Sequence, residues 1–320
     1  MPRMLTIAAF CVTALFSLSA NAVDRVTGAV IGSYNAFTWP AEIGIAKGFY
    51  ADQGLDMDVI FVPSAPASLQ QLAAGSLDLS ISTGLVDPLR LVSHGGLVAL
   101  ARVHLRISPY VLVASHDIKD IASLKGKTIA IGSKADITHV LIEKMLASAG
   151  LAFTDVDMVY SGSTASRYAA LKTGAIAASL LAVPLNYMAE SEGFQQLGVA
   201  GNYAKDMPFT GSIINRKWAE AHPDTARRLF AINDQSIEWF YDKANRDEAI
   251  RILIDAGHIT PEDATRSYEF LHDGEYFDRT HKVSRRGVEA LVAALHELGD
   301  TDISPTPEQV VIPSLTVLSD

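Results

Sequence analysis

Residues 57–82, MDVIFVPSAPASLQQLAAGSLDLSIS, contain two apolar segments on either side of a short helical one. Met57 to Val62 and Leu77 to Ser82 have the apolar composition of buried strands. Between them lies a helical segment, Ser64 to Ala74, which Gly75 closes at the position of a helix C-cap. A strand, a helix and a strand in this order predict parallel pairing in an α/β fold.

The same arrangement extends to both sides of this stretch. Before it, a predicted strand from Val26 to Ile31 is followed by a helical segment from Trp39 to Phe49. After it come apolar runs from Leu97 to Val103 and from Tyr110 to Ala114, with no long helix between them. We expect the chain to cross there into a second lobe.

A second α/β unit follows this crossing, with strands and helices in alternation. The predicted segments are Lys127 to Ile131, Ile137 to Ala149, Val156 to Tyr160 and Ala165 to Lys172. A return strand is predicted at Phe209 to Ile214, and a mostly helical tail is expected to pack on the first lobe. We therefore predict one lobe of residues 23–106 plus 209–320 and another of residues 107–208. A single doubly wound domain is the alternative that the pattern leaves open.

The amino-terminal segment predicts export. Arg3 precedes an apolar run from Met4 to Leu18, and Ser19 to Ala22 form a cleavage pattern of small residues. We predict a signal peptide at residues 1–22, cut after Ala22, and a protein of the periplasm. The single cysteine, Cys11, lies inside this segment, so we expect no disulfide and no cysteine-ligated metal.

Composition and motifs argue against several functions. The net charge is −10, and residues 1–22 hold one Arg and no acid, so a nucleic acid partner is not expected. The chain has no G-x-S-x-G, H-E-x-x-H or G-x-G-x-x-G motif. His104 and His139 are interpreted as ordinary polar residues, and no metal or cofactor is predicted. The sequence therefore favours a protein that is not an enzyme.

Four polar loops each follow a predicted strand and lead into a helix: Ser33 to Trp39, Ser64 to Ser68, Gly132 to Thr138 and Ser161 to Ser166. Helix N-termini carry unpaired N–H groups and the positive end of the helix dipole. Loops of this kind that converge on one crevice can hold a small anion. The alternative for each hydroxyl is that it only caps its own helix.

Four motifs occur in a fixed order along the chain. They are Ala46-Lys47-Gly48-Phe49-Tyr50 with Gly54-Leu55-Asp56, then Leu72 to Asp78, then Ile121 to Ile129, and finally Leu171 to Ala177 ahead of Pro184. Together they resemble the periplasmic binding proteins for sulfonates, taurine, nitrate and thiamine-pyrimidine precursors. One position departs from the family pattern, because Ala177 stands where an Asp is expected.

The resemblance implies a type II periplasmic-binding-protein fold, with a mainly parallel sheet in each lobe, two crossover segments and a ligand in the cleft. It implies a monomer that delivers this ligand to an ABC permease in the inner membrane. The related pyrimidine synthases depend on a cysteine-rich motif, which this chain lacks. A sensory module coupled to a membrane receptor and a secreted hydrolase remain the alternatives.

The cleft residues that we predict combine aromatic walls with polar donors. From the first lobe they are Tyr34, Asn35, Phe37, Trp39, Ser64, Ser68, Thr83 and Arg102, and from the second Lys134, Thr138, Ser163 and Arg167. This mixture favours a small organic anion such as a sulfonate, an aromatic carboxylate or a pyrimidine-like compound over nitrate. In the alternative interpretation Trp39 packs on the sheet, Arg167 and Lys134 face solvent, and Arg102 pairs with Asp87.

Overall fold

The computed structural model describes residues 23–134 and 136–320. The predicted signal peptide, residues 1–22, lies outside the described residues. In the described part the strands are β1 (Asp24–Ile31), β2 (Leu55–Val62), β3 (Leu79–Gly84), β4 (Val98–Leu105), β5 (Val111–Ala114), β6 (Thr128–Ile131), β7 (Asp157–Tyr160), β8 (Ala178–Leu181), β9 (Gln195–Val199), β10 (Thr210–Asn215), β11 (Lys282–Ser284) and β12 (Val317–Ser319).

The α-helices flank these strands on both faces of the sheets. They are α1 (Trp39–Ala46), α2 (Phe49–Asp52), α3 (Ala65–Ala74), α4 (Val86–Ser93), α5 (Ile137–Ser148), α6 (Thr164–Lys172), α7 (Leu185–Ser191), α8 (Arg216–Ala221), α9 (Pro223–Tyr241), α10 (Arg246–Gly257), α11 (Pro261–Asp273), α12 (Arg285–Glu297) and α13 (Pro307–Val310).

Two five-stranded sheets organise the described chain, in the strand orders β2-β1-β3-β10-β4 and β7-β6-β8-β5-β9. In the first sheet only β10 runs antiparallel to its neighbours. In the second sheet β5 is the antiparallel strand. The prediction of two mainly parallel sheets is confirmed. In each sheet the strands of one predicted α/β unit pair in parallel with one another.

The chain passes between the sheets twice, through residues 106–110 after β4 and residues 200–209 before β10. The two crossing segments are hydrogen-bonded to each other. The Ala200 amide donates to the Tyr110 carbonyl at 2.8 Å, and the Gly201 amide donates to the Ser108 carbonyl at 3.0 Å. The lobe boundaries that we predict from the sequence stay a prediction, although both crossings fall near them.

The helical tail contacts helices on the first sheet's side of the molecule. The Trp39 indole of α1 is fully buried and donates to the Ala249 carbonyl of α10 at 3.0 Å. The tail also contacts helices beside the second sheet, which the sequence does not predict. Ion pairs join Arg266 of α11 to Glu190 of α7 at 2.5 Å, and Glu297 of α12 to Lys144 of α5 at 3.0 Å.

Candidate functional site

A cavity of about 80 Å³ lies between the two sheets. Its walls come from the loop after β1, the end of β3, the starts of α3, α5 and α6, and both crossing segments. Because the carboxyl ends of parallel strands lie at the same edge of a sheet, the loops that follow them from both sheets meet here. The cavity is thus built from groups on both sides of the crossing.

Three aromatic rings form one wall of this cavity. Phe37 comes from the loop after β1, Tyr110 from the first crossing and Phe209 from the second. Each ring packs edge-on against the other two, with centroid separations of 5.4 Å for Phe37 and Tyr110, 5.6 Å for Phe37 and Phe209, and 5.1 Å for Tyr110 and Phe209. Mutual packing of this kind fixes the rings and offers an apolar surface to a ligand.

Hydroxyl groups from both sheets line the other walls. Ser82 at the end of β3 and Thr210 at the start of β10 share a hydrogen bond of 3.0 Å. Thr138 of α5 accepts from the Gly132 amide at 2.8 Å, and Thr164 of α6 lies 3.5 Å from the Tyr110 hydroxyl. Such groups can donate to or accept from a bound molecule with a small rotation of the O–H bond.

The guanidinium of Arg167 is the cavity's fixed positive charge. The side chain is 1% exposed and lies over the Tyr110 ring at 5.7 Å. It donates to the carbonyls of Ser161, Gly162 and Leu180 and to the Thr164 hydroxyl, at 3.0–3.3 Å. Among the described residues no carboxylate forms an ion pair with it. A buried cation that is held by neutral acceptors favours a nearby anion.

Burial weakens two carboxyl groups as anions, those of Asp136 and Glu42, and Asp136 is the one that interacts with the charge of Arg167. Burial raises the pKa of Asp136, while its hydrogen bonds from Thr138 and the charge of Arg167 act in the opposite direction. Burial also raises the pKa of Glu42 to about 8, although Thr38 donates a hydrogen bond to it. At neutral pH Glu42 is mostly protonated.

Four of the predicted site residues line the cavity, namely Asn35, Phe37, Thr138 and Arg167. Two others, Tyr34 and Ser163, line an adjoining cavity of about 90 Å³, which shares Asn35 with the first. Their role in binding stays a prediction. The loops that carry them meet as the sequence predicts, because each follows a parallel strand.

Four predicted residues are not among those that line the cavity, and each is held by the core or by a polar partner. Trp39 packs against Phe240 and Tyr268 in the core, as its alternative interpretation holds. Ser68 and Thr83 are buried and each hydrogen-bonds to Ser80. Ser64 caps α3 by accepting from the Ala67 amide. The local sequence does not show which way each of these side chains points, and their role in binding stays a prediction.

The two other cations that we predict in the cleft also lie outside it. Arg102 pairs with Asp234 of α9 at 3.1 Å, rather than with the ligand or with Asp87. Lys134 is exposed, and only its backbone carbonyl is engaged, by the ring of His139 at 2.6 Å. Of the three predicted basic residues, Arg167 alone reaches the cavity.

Sequence reasoning missed Tyr110 and Phe209 of the crossing segments and Thr210, the first residue of β10. The loops predicted to bind the ligand all lead from a strand into a helix, whereas Tyr110 and Phe209 each stand directly before a strand. The sequence did contain a signal for these two aromatic residues. Tyr110 and Phe209 each begin the strand that is predicted to follow one of the two crossings.

Small residues allow the two lobes to approach closely at the cavity. A Cβ atom on Gly162 would lie 2.7 Å from the Pro63 carbonyl oxygen, and one on Gly84 would lie 2.8 Å from Cγ2 of Ile137. Contacts below 3.0 Å are essentially absent between real side chains. Each glycine lies on one side of the cleft, and the residue that its added Cβ would meet lies on the other side. The two glycines therefore allow close contact across the cleft.

No catalytic or metal arrangement emerges from the part of the chain that the structure describes. Ser212 lies 2.8 Å from Nε2 of His104, yet both are buried away from the cavity, and Nδ1 of His104 has no partner. Burial lowers the pKa of His104 to about 4. Over residues 23–134 and 136–320, no three His, Cys, Asp or Glu side chains are grouped as metal ligands, and no helix is long and apolar enough to cross a bilayer.

Two sheets of this topology, joined by two crossings around a polar cavity, define a protein of the periplasmic-binding-protein fold. A family model described as NMT1/THI5 like matches residues 39–246, which is more than half of the chain. The chain therefore belongs to the NMT1/THI5-like family.

Known proteins agree with this assignment. A putative aliphatic sulfonates-binding protein of Escherichia coli (strain K12) is 34% identical over 105 residues, which cover 31% of this chain and 31% of that protein. The match thus spans just under a third of that relative's length.

Solved structures show the same fold at low sequence identity. The alkanesulfonate-binding protein SsuA from Xanthomonas axonopodis pv. citri, bound to MOPS, has a TM-score of 0.74 at 17% identity, covering 94% of this chain and 100% of that chain. The periplasmic nitrate-binding protein NrtA from Synechocystis PCC 6803 has a TM-score of 0.67 at 20% identity, covering 77% of this chain and 71% of that chain.

Proposed function

We propose that the chain is a periplasmic solute-binding protein that closes on a small organic anion and delivers it to an ABC permease in the inner membrane. The observation that carries this proposal is the buried guanidinium of Arg167 at the cavity, which forms no ion pair with a described carboxylate and donates to neutral oxygens. An anionic ligand would interact favourably with this charge. The proposal includes an exported monomer without catalytic activity.

The chemistry of the walls suggests the kind of anion. We propose that Asn35, Thr138 and Thr164 orient an acidic group near Arg167, while the rings of Phe37 and Tyr110 contact an apolar body. The adjoining cavity beside Tyr34 and Ser163 leaves room for this body to extend. The names of the sulfonate-binding relatives support a sulfonate as the first candidate.

A thermal-shift screen of the purified chain tests this function. Alkanesulfonates, aromatic carboxylates, pyrimidines and nitrate are compared at concentrations that saturate weak sites. A ligand at one hundred times its dissociation constant stabilises the fold by about 2.7 kcal/mol, which is easily measured. We expect organic anions to raise the melting temperature. A rise with neutral compounds or metal ions alone would refute the proposal.

A further inference from the structure

A second and larger cavity lies outside the cleft, as a groove of about 400 Å³ on the side of β4. Its walls come from Ser319 of β12 and from four further segments. They are the end of β4 and the start of the first crossing, residues 205–208 of the second crossing, residues 278–284 around β11, and the first turn of α12. The groove is therefore formed by parts of the chain that are distant in sequence.

Four basic side chains line this groove, namely Arg106, Lys205, Lys282 and Arg286. The whole chain has a net charge of −10, so such a cluster runs against its overall charge. Among the described residues no ion pair or hydrogen bond engages the side chains of Lys205, Lys282 or Arg286. Arg106 donates only to a neutral group, the Glu275 carbonyl, at 2.6 and 3.2 Å. The positive charges are available to a ligand.

Two acidic residues lie in the same walls. Asp278 is buried and accepts from the Thr280 hydroxyl at 2.8 Å and from the Thr280 amide at 3.3 Å. Asp206 is exposed. Because Asp278 is already held by Thr280, it is not free to turn toward the basic side chains. The groove keeps an excess of positive charge.

The position of Arg286 adds to the positive electrostatic potential of the groove. It is the second residue of α12, whose first turn has no acidic residue. A cation at a helix N-terminus faces the positive end of the helix dipole, which is unfavourable unless an anion is nearby. Its neighbour Arg285 has such anions, since it pairs with Glu308 and lies 3.9 Å from Asp320. No described carboxylate does the same for Arg286.

We propose that this groove binds a small polyanion with at least two phosphate-type groups. A single oxyanion would contact only part of a groove of about 400 Å³, whereas linked groups can reach basic side chains on several walls at once. Arg106 and Lys205 belong to the two crossing segments, so the polyanion would bridge these segments and α12. The site is separate from the cleft and does not depend on the proposed transport function.

Calorimetric titration of the full chain with pyrophosphate at low ionic strength tests this site. We expect one-to-one binding that weakens about tenfold in each of Lys205→Gln and Arg286→Gln, because each change removes one charge-assisted contact. Lys243→Gln is the matched control, since Lys243 is exposed and lies away from the groove. It should bind pyrophosphate like the wild type. Binding should also fall steeply with added salt.

Four results would overturn the proposal. The first is no heat of binding at millimolar pyrophosphate, and the second is an equal loss in the Lys243→Gln control. The third is weaker pyrophosphate binding in Thr164→Val, which would place the anion in the cleft. A glutamate-rich peptide that competes at equal affinity would also count against a small polyanion and favour a protein partner.

Discussion

Arg167 combines two roles that are usually separate. Its five N–H bonds hold the backbone around Ser161 to Thr164 and at Leu180, while its charge faces the cavity. An anion would interact with it through the field and with the neighbouring hydroxyls through hydrogen bonds. Arg is suited to this because its planar fork serves several acceptors at once.

Arg167→Met is expected to lower both stability and anion binding. Three carbonyl groups lose their donors in a buried place, which costs about 3 kcal/mol of the free energy of unfolding. The loss of charge should weaken anion binding tenfold or more. Chemical denaturation and calorimetry measure the two effects. Lys134→Met, which removes an exposed cation, is the control, and unchanged anion binding in Arg167→Met would contradict the account.

Glu42 gives the protein a pH dependence with a definite sign. Its pKa is about 8 in the folded chain and 4.5 in an ordinary environment, so the folded state holds the proton more tightly. The resulting stabilisation is complete below about pH 4.5 and is lost as the pH rises through about 8.

Glu42→Gln should remove this dependence, because an amide mimics the protonated carboxyl group. The free energy of unfolding of the wild type, relative to the variant, is expected to fall between pH 5 and 8, by at most about 1.4 kcal/mol per pH unit. Denaturant unfolding at several pH values measures it. A pH-independent difference between the two proteins would show that Glu42 is ionised in the fold.

At the scale of the elements, the close approach of the lobes depends on the glycines at the cleft. We expect Gly162→Ala to weaken ligand binding tenfold or more, because the added methyl meets the Pro63 backbone and holds the lobes apart. The unfolding temperature of the ligand-free chain should change little. Equal affinity in the variant and the wild type would mean that binding does not require this closed contact.

Gly84 allows a compensating change as a control. Its added Cβ would meet Cγ2 of Ile137, a methyl group that leucine lacks at this branch. Gly84→Ala should therefore weaken binding, and Gly84→Ala with Ile137→Leu should recover much of it. Failure of the second change to restore any affinity would argue that Gly84 acts through its own loop instead.

The sequence predicts most elements of the two sheets because their strands are strongly apolar and their helices are capped. The sequence pattern did not predict helix α4. Its Pro88 suggests a break, yet it lies in the first turn, where the missing N–H costs nothing. Strand β9 was not predicted either. It lies at the edge of its sheet, and Gln195 and Gln196 give it a polar composition.

The cavity was harder to predict than the sheets, since side-chain direction depends on partners far along the chain. Trp39 is held by Ala249 and Arg102 by Asp234, which are 210 and 132 residues away. No local pattern reveals such partners. Asn35, Phe37, Thr138 and Arg167 were found because they follow parallel strands, where position along the chain does determine the edge of the sheet.

At the scale of the molecule, the closed arrangement is held by contacts on several sides of the cleft. The crossing segments bond to each other, the rings of Phe37, Tyr110 and Phe209 pack across them, and two ion pairs connect tail helices to the second lobe. Exposed ion pairs contribute about 1 kcal/mol or less each.

The most direct test of this account compares an alkanesulfonate with the neutral sulfonamide of the same size, each titrated calorimetrically into the wild-type chain. The charge opposite Arg167 is the only large difference between the two compounds. We predict saturable one-to-one binding of the sulfonate and at least tenfold weaker binding of the sulfonamide. Equal binding of the two compounds, or binding of the sulfonamide alone, would contradict an anion held in the cleft.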